Sequence, residues 1–261
     1  MKLQKHSPLS ANVGIIGATG LVGQEFLTLL HERNFPVGEL FLFASDKSVG
    51  KKIKFKNRML QILPFDENLF SKIDIAFFSA GAETDKVLVP KAAKQGTVCI
   101  DNSSAFRMQK NVPLIVPEIN FNEIKKNNLI IANPNCSTIQ LVLVLDLLRS
   151  VSKIVSVDVS TYQAVSGAGR EPLDMYLSQS KKENRNHTPQ FYGNIIQKIG
   201  PISKSRFCEE ELKIVNETKK ILRDSTLKIS ATTMRVPLPN VHTESVAVEF
   251  KSNVSLREIE K

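Results

Sequence analysis

Short apolar runs alternate with polar, glycine-bearing turns through the first half of the chain. Ala11 to Ile16 is apolar and strand-like, and Gly17-Ala18-Thr19-Gly20-Leu21-Val22-Gly23 follows it. Val22, Phe26, Leu29 and Leu30 then recur at helical spacing. They predict a helix to about Arg33 with those residues on one face. Further strands are predicted at Leu40–Phe43, Ile73–Ser79, Val98–Ile100 and Leu129–Ala132, and a helix from Lys86 to Gln95 closed by Gly96. Strand alternating with helix is the pattern of a parallel, Rossmann-like sheet.

The pattern changes near Asn133. Leu141, Val142, Leu143, Val144, Leu145, Leu147 and Leu148 form an apolar run that reads as a buried helix. Val155, Val157, Val159 and Thr161 then alternate with Ser156, Asp158, Ser160 and Tyr162, and Val246, Val248 and Phe250 alternate with Ala247 and Glu249. Period two predicts an open sheet with one covered face, typical of antiparallel pairing. Helices at about Glu171–Lys182 and Glu209–Arg223 are expected to pack on it. Residues 184–202, rich in Asn, Gln, Pro and Gly, read as a long loop. The expected fold is α/β: a Rossmann-like domain over residues 1–132 and an α+β domain over 133–261. Ser255-Leu256-Arg257-Glu258 is a capping-box signature that opens a helix just before Lys261. The second domain is therefore expected to be incomplete at its C-terminal end.

Composition adds limits. A hydrophobic fraction of 42% and a charged fraction of 23% suit a globular protein, with apolar runs too short to span a bilayer. Residues Met1 to Pro8 contain no apolar signal region. The three cysteines form neither a disulfide framework nor a metal-ligand spacing, so no metal is expected and a reducing cytoplasm fits. The net charge of +9 suits anionic small molecules or nucleic acid. The lysines fall in scattered pairs such as Lys51-Lys52, Lys125-Lys126, Lys181-Lys182 and Lys219-Lys220, without a nucleic-acid-binding motif. Most are read as solvated surface, and neither nucleic acid nor membrane is expected as a partner.

The candidate chemistry centres on Asn133-Pro134-Asn135-Cys136-Ser137-Thr138-Ile139-Gln140, a tight turn between a strand and a helix. A thiol at a helix start meets free N–H groups and the positive end of the helix dipole, which favour thiolate. Such cysteines have pKa values of roughly 3.5 to 7.5, against about 8.5 when free. Cys136 is accordingly a candidate nucleophile, whereas Cys99, inside a strand, reads as a small buried hydrophobe. The glycines between a strand and a helix suit a pyrophosphate cradle. Ser45, Lys47 and Ser48 suit a 2′-phosphate and favour NADP, while an inward-pointing Asp46 favours NAD. Ser79-Ala80-Gly81 is a small-residue turn suited to line a cofactor. Arg107, after Asp101-Asn102-Ser103-Ser104, reads as an anion clamp or as a surface arginine. His242 lies seven residues beyond Arg235 in a proline-punctuated loop, and a histidine can activate a thiol.

Taken together, Gly17-Ala18-Thr19-Gly20, Asp101 through Arg107, Val116-Pro117-Glu118-Ile119-Asn120, Asn133 through Ser137, Tyr162 through Gly169, Glu209 through Lys213 and Arg235 through Val246 resemble the aspartate-semialdehyde dehydrogenases. They keep the family's order over nearly the whole chain. The resemblance implies a glyceraldehyde-3-phosphate-dehydrogenase-like fold and NADPH-dependent reductive dephosphorylation of L-aspartyl 4-phosphate to L-aspartate 4-semialdehyde, with release of inorganic phosphate. That reaction lies on the route to diaminopimelate and lysine, threonine, methionine and isoleucine. It implies Cys136 as nucleophile, His242 as acid/base catalyst and Gln163 as the residue that orients substrate. It implies Arg235 on the substrate α-carboxylate, Glu210 on its α-ammonium, and Arg107 with Lys213 on phosphate. It implies cofactor contacts at Gly17, Thr19, Gly20, Leu21, Val22, Ser45, Lys47, Ser48, Ser79, Ser166 and Gly167, and a homodimer formed through the second domain. Many members carry an arginine where Lys47 stands. Members also continue past the position of Lys261, adding strands and a helix with an Asn-Leu-Arg-Lys-Gly-like run, so poor folding or low activity is expected of these 261 residues alone. Two other readings are N-acetyl-γ-glutamyl-phosphate reductase, whose cysteine turn resembles Asn-Pro-Gly-Cys, and a non-catalytic nucleotide-binding remnant.

Overall fold

The computed structural model describes residues 10–181 and 188–260. The N-terminal segment before Ser10, the expected helix end at Lys182, the expected loop over 184–187 and Lys261 lie outside the described residues. Two compact units are present: one spans the chain to Ile115 together with Asn122–Asn133, the other comprises Val116–Phe121 and Pro134 onward.

The first unit is built on β1 (Ala11–Ile16), α1 (Leu21–Glu32), β2 (Val37–Phe43), β3 (Lys52–Phe55), β4 (Arg58–Leu63), β5 (Ile75–Phe78), α2 (Ala82–Lys94), β6 (Val98–Asp101) and β7 (Ile130–Ala132). The sheet order is β3-β4-β2-β1-β5-β6-β7. All neighbours run parallel except the antiparallel β3–β4 pair. That hairpin was not anticipated. Its lysine-rich alternation looks like solvated surface until Ile62 and Phe55 are seen to be buried. The helix expected from Lys86 starts four residues earlier, at Ala82, with Glu83 and Asp85 at the positive end of its dipole.

The inner face of α1 differs in part from expectation: Leu30 is buried and Phe26 packs against the core, as expected. Val22 and Leu29 are exposed, and the buried stripe is Gly23, Leu27 and Leu30. Both stripes have helical spacing, so periodicity alone does not choose between them. Gly23 does: a Cβ there would lie 2.2 Å from the Gly17 carbonyl oxygen. Only glycine permits that approach, which turns the helix so that Leu27 and Leu30 join Val13, Ile15, Leu42 and Ile62 in the core.

The loops at the carboxyl end of this sheet are held by a repeated device. The residue after each strand donates its backbone N–H to the last carbonyl of a neighbouring strand. Gly17 donates to Phe43 at 2.9 Å, Ser79 to Ile16 at 2.8 Å, Asn102 to Phe78 at 2.9 Å and Asn133 to Asp101 at 2.8 Å. Loops fixed this way leave the crevice where open α/β sheets bind ligands.

The second unit contains α3 (Pro117–Asn120), α4 (Cys136–Val151), β8 (Ile154–Gln163), α5 (Arg170–Ser180), α6 (Glu209–Leu222), β9 (Lys228–Arg235), β10 (His242–Phe250) and α7 (Leu256–Ile259). The sheet order is β10-β8-β9. Antiparallel pairing was expected, and β10 is antiparallel to β8, but β9 runs parallel to β8, so the sheet is mixed. The reason lies in the connection: β8 and β9 are joined through α5 and α6, and a helical crossover returns the chain in the same direction. One face carries Val157, Val159 and Ala231 and is packed by α4 and α6, whose buried residues include Leu141, Val142, Leu145, Ile214 and Ile221. The expectation that α4 is buried throughout does not hold, since Val144 and Leu147 are exposed. Ser255 and Glu258 form the expected capping box on α7.

Candidate active site

Sheet register builds the site in the second unit. His242 on β10 pairs with Gln163 on β8, which pairs with Arg235 on β9. Paired residues point to the same face, so these three form one row across the covered face. The next row is Glu244, Thr161 and Thr233, also polar. The third is Val246, Val159 and Ala231, in which Val159 and Ala231 are buried and Val246 is exposed.

Glu210, in the first turn of α6, ties this row to the cysteine turn. Its Oε1 accepts from Asn135 Nδ2 at 2.8 Å and from Gln163 Nε2 at 3.1 Å. Its Oε2 lies 3.6 Å from Lys213 Nζ, which also pairs with Glu209 at 2.8 Å. Arg235 Nη1 donates to the Ala164 carbonyl at 2.9 Å and to Gln163 Oε1 at 3.4 Å. Gln163, Glu210 and Arg235 are all buried. Burial pushes the Arg235 pKa down, opposed by the negative charges of Glu210 and of Cys136.

Asn135 is the N-cap of α4. Its Oδ1 accepts the N–H groups of Ser137 at 2.9 Å and Thr138 at 3.2 Å. Its own N–H donates to the buried Glu217 at 2.6 Å. The cap, Glu210 and Glu217 fix the helix start while leaving Cys136, its first residue, exposed. Cys99 and Cys208 are buried, and burial pushes the Cys99 thiol up to about 12.

His242 Nδ1 accepts the backbone N–H of Ala164 at 3.1 Å. A neutral imidazole has one N–H, so His242 then carries its proton on Nε2. Burial lowers its pKa, reinforced by the Arg235 charge and opposed by a hydrogen bond with the Val241 backbone and by Glu210. The loop after β8 is zipped to the proline loop before β10, with Val165 N–H donating to Leu238 at 2.8 Å and Ser166 N–H to Pro239 at 3.1 Å. Gly167 is thereby laid against the row. A Cβ there would meet Arg235 Nη1 at 2.8 Å and His242 Nε2 at 3.1 Å. Below the row, Glu244 hydrogen-bonds Gln140, one helical turn after Cys136, and burial raises its pKa.

The first unit holds the remaining expected residues. Gly17 has a positive φ of 93°, and a Cβ would lie 2.5 Å from the Ser79 carbonyl oxygen. Gly20 caps α1 without a side chain, so no side-chain oxygen competes for the N–H groups of its first turn. Glycine backbone, open helix N-terminus and the adjacent Ser79 turn fit a dinucleotide pyrophosphate. Thr19 and Leu21 are half-buried and Val22 exposed. Ser45 and Lys47 are exposed, whereas Ser48 is buried. Arg107 is buried rather than superficial, and its Nη2 donates to the Asn102 carbonyl at 2.9 Å. Among the described residues no group of three His, Cys, Asp or Glu is arranged to hold a metal, and no helix is long and apolar enough to cross a membrane.

Comparison with known proteins agrees across both units. Residues 12–127 match the semialdehyde dehydrogenase NAD-binding domain, and residues 145–261 the semialdehyde dehydrogenase dimerisation domain. The chain is 44% identical to the aspartate-semialdehyde dehydrogenase of Aquifex aeolicus over 94% of this chain and 76% of that protein. The chain belongs to the aspartate-semialdehyde dehydrogenase family. The Bacillus subtilis member is 41% identical over 92% of this chain and 73% of its own length. The crystal structure of aspartate semialdehyde dehydrogenase II from Vibrio cholerae superimposes with a TM-score of 0.90 at 39% identity, covering 96% of this chain and 77% of that one. A second structure of that protein is complexed with ASA. A Candida albicans aspartate semialdehyde dehydrogenase with NADP has a TM-score of 0.72 at 25% identity, covering 96% and 75%.

For an aspartate-semialdehyde dehydrogenase chain, sequence reading named most of this cluster but missed two carboxylates, the buried Glu217 and the half-buried Glu244. Glu217 stands in no motif, and Glu244, though inside the Arg235–Val246 stretch, was given no role there. Glu217 falls on the inner face of a helix and Glu244 on a strand, and only the long-range partners Asn135 and Gln140 reveal them.

Proposed function

We propose that the protein reduces L-aspartyl 4-phosphate to L-aspartate 4-semialdehyde with NADPH, releasing inorganic phosphate. The observation that carries this reading is that buried Arg235 and buried Glu210 both hold the Gln163 amide, beside an exposed helix-start thiol. A guanidinium and a carboxylate fixed on one amide suit the α-carboxylate and α-ammonium of an amino acid. An N-acetylated substrate has no ammonium to offer Glu210, which disfavours the sister reductase.

Cys136 Sγ attacks the acyl carbon. The C–O bond to phosphate breaks, phosphate leaves, and the acyl group stays on sulfur as a thioester. His242 donates Nε2–H to the oxyanion that forms on the carbonyl oxygen. Gln163, held by Glu210 and Arg235, orients the carbonyl. Lys213 is assigned to the phosphate, and so, from the family resemblance alone, is Arg107 of the first unit. NADPH, when bound, supplies the hydride that turns the thioester into the aldehyde. Collapse of the resulting carbonyl adduct frees Cys136 as thiolate. Gly17, Thr19, Gly20, Leu21, Val22 and Ser79 are assigned to the dinucleotide, with Ser45 and Lys47 on the 2′-phosphate. Ser48, being buried, is assigned to support that loop. Ser166 and Gly167 complete the pocket wall beside His242. A homodimer through the second unit and a cytoplasmic location go with this reading.

The test is phosphate-dependent oxidation of aspartate semialdehyde and of N-acetylglutamate semialdehyde, each with NADP and with NAD. Turnover with the first aldehyde and NADP is expected. A preference for the second aldehyde overturns the substrate assignment, and equal use of NAD overturns the cofactor assignment.

A further inference from the structure

Asp85 and Asp101 in the first unit are both fully buried. Asp85 lies in the first turn of α2 and Asp101 ends β6. Their carboxyls are within hydrogen-bonding reach of each other. Asp101 is engaged from its other side, accepting Ser103 N–H at 3.0 Å on Oδ1 and Ser103 O–H at 2.9 Å on Oδ2. Asp85 Oδ1 accepts the Ala80 N–H at 3.4 Å, while its Oδ2 is buried with no N–H or O–H donor reaching it. Two neighbouring carboxylates disfavour each other's ionisation in a buried place. A proton between them removes the repulsion and satisfies the orphan oxygen together.

We propose that Asp85 and Asp101 share one proton, and that this proton fastens the turn after β5 to the turn after β6, which presents Arg107. The second turn hangs from Asp101. Ser103 Oγ accepts the Ala105 N–H at 3.2 Å, Arg107 grips the Asn102 carbonyl, and Asn133 Nδ2 donates to Asn102 Oδ1 at 2.7 Å. The other ionisable groups facing the pair are Arg107, whose charge favours ionised Asp101, and the protonated thiol of Cys99. Glu83 and Lys86, beside Asp85 on α2, are exposed. Burial first, then the Asp101 charge, pushes Asp85 up to about 7. The fastening is therefore present below that pH and lost as pH rises above it. The consequence for phosphate rests on the assignment of Arg107 made above.

Hydrogen exchange of the Ser103 and Ala105 amides, corrected for intrinsic rates and referred to β1 amides, reads the fastening without substrate. In the wild type their protection is expected to fall at least about tenfold between pH 6 and pH 9, one pKa unit being a factor of ten. Asp85→Asn supplies an N–H donor at every pH and is expected to keep protection at pH 9. Wild-type protection that stays constant over this range overturns the proposal without any variant, and so does an Asp85→Asn protein that loses protection as the wild type does. The KM for inorganic phosphate in the oxidative direction is measured alongside. It is expected to rise with pH more steeply in the wild type than in Asp85→Asn. Altered protection with identical KM profiles removes Arg107 from phosphate binding and leaves the shared proton standing.

Discussion

The backbone N–H of Ala164 points at Nδ1 of His242, 3.1 Å away, and so decides which nitrogen of that ring carries the proton. Ala164 follows Gln163, the register partner of His242, so the same strand pairing supplies both the amide proposed to orient the substrate and the group that sets the imidazole.

At pH 7, histidine-selective 15N NMR is expected to show His242 neutral, with Nε2 protonated and Nδ1 bare. Its pKa is held below the ordinary histidine value, chiefly by burial. A base with a depressed folded pKa contributes stability above the unfolded value of about 6.5 that is lost as pH falls. Thermal midpoints should decline on acidification below that point, and less so in His242→Gln. A proton on Nδ1 at pH 7 would remove the proposed oxyanion donor.

Gly167→Ala is expected to reduce kcat/KM strongly while leaving the thermal midpoint nearly unchanged. The added methyl meets Arg235 Nη1 and His242 Nε2, two side chains that can yield, so the fold tolerates what the chemistry does not. Moving either side chain out of its reacting geometry is expected to cost on the order of 100-fold in rate. Steady-state kinetics beside a melting curve separate the two effects.

Asn135→Ala and Asn135→Asp differ in kind. Alanine removes the cap of α4, a loss of about 1 kcal/mol. Aspartate keeps the cap but sets a carboxylate against Glu210, where Asn135 Nδ2 now donates. The aspartate variant is therefore expected to be the less stable at pH 8 and to recover on acidification. Denaturant unfolding at pH 5 and pH 8 checks this. Equal stability at pH 8 would show that Glu210 is not coupled to the cysteine turn.

Native protein treated with iodoacetamide is expected to be alkylated at Cys136 alone, because Cys99 and Cys208 are buried. Cys136→Ala should abolish turnover and leave NADPH binding intact, whereas Cys99→Ala should remain active. Appreciable turnover in Cys136→Ala would exclude the thioester route.

The elements that sequence made legible are those whose signals are local. The glycine turn between β1 and α1, the thiol at a helix start, and the proline loop between Arg235 and His242 each lie within a dozen residues. The inward stripe of α1 was read as Val22, Phe26, Leu29 and Leu30; Leu30 is buried and Phe26 packs on the core, but Gly23 and Leu27 take the places of Val22 and Leu29, a choice that depends on contact between Gly23 and Gly17. The parallel pairing of β8 with β9 was hidden because period two reports a covered face and not strand direction. Asp85 and Asp101 were passed over because neither is unusual until the other is beside it.

The row His242–Gln163–Arg235 gathers residues from three strands by register alone. A one-residue slip in either pairing would send a member of the row to the opposite face of the sheet. The site has no half-formed version: misaligned strands yield no weakened enzyme, only an inert one. Recovery of turnover during refolding should therefore follow the closing of this small sheet and lag behind any earlier gain of helix.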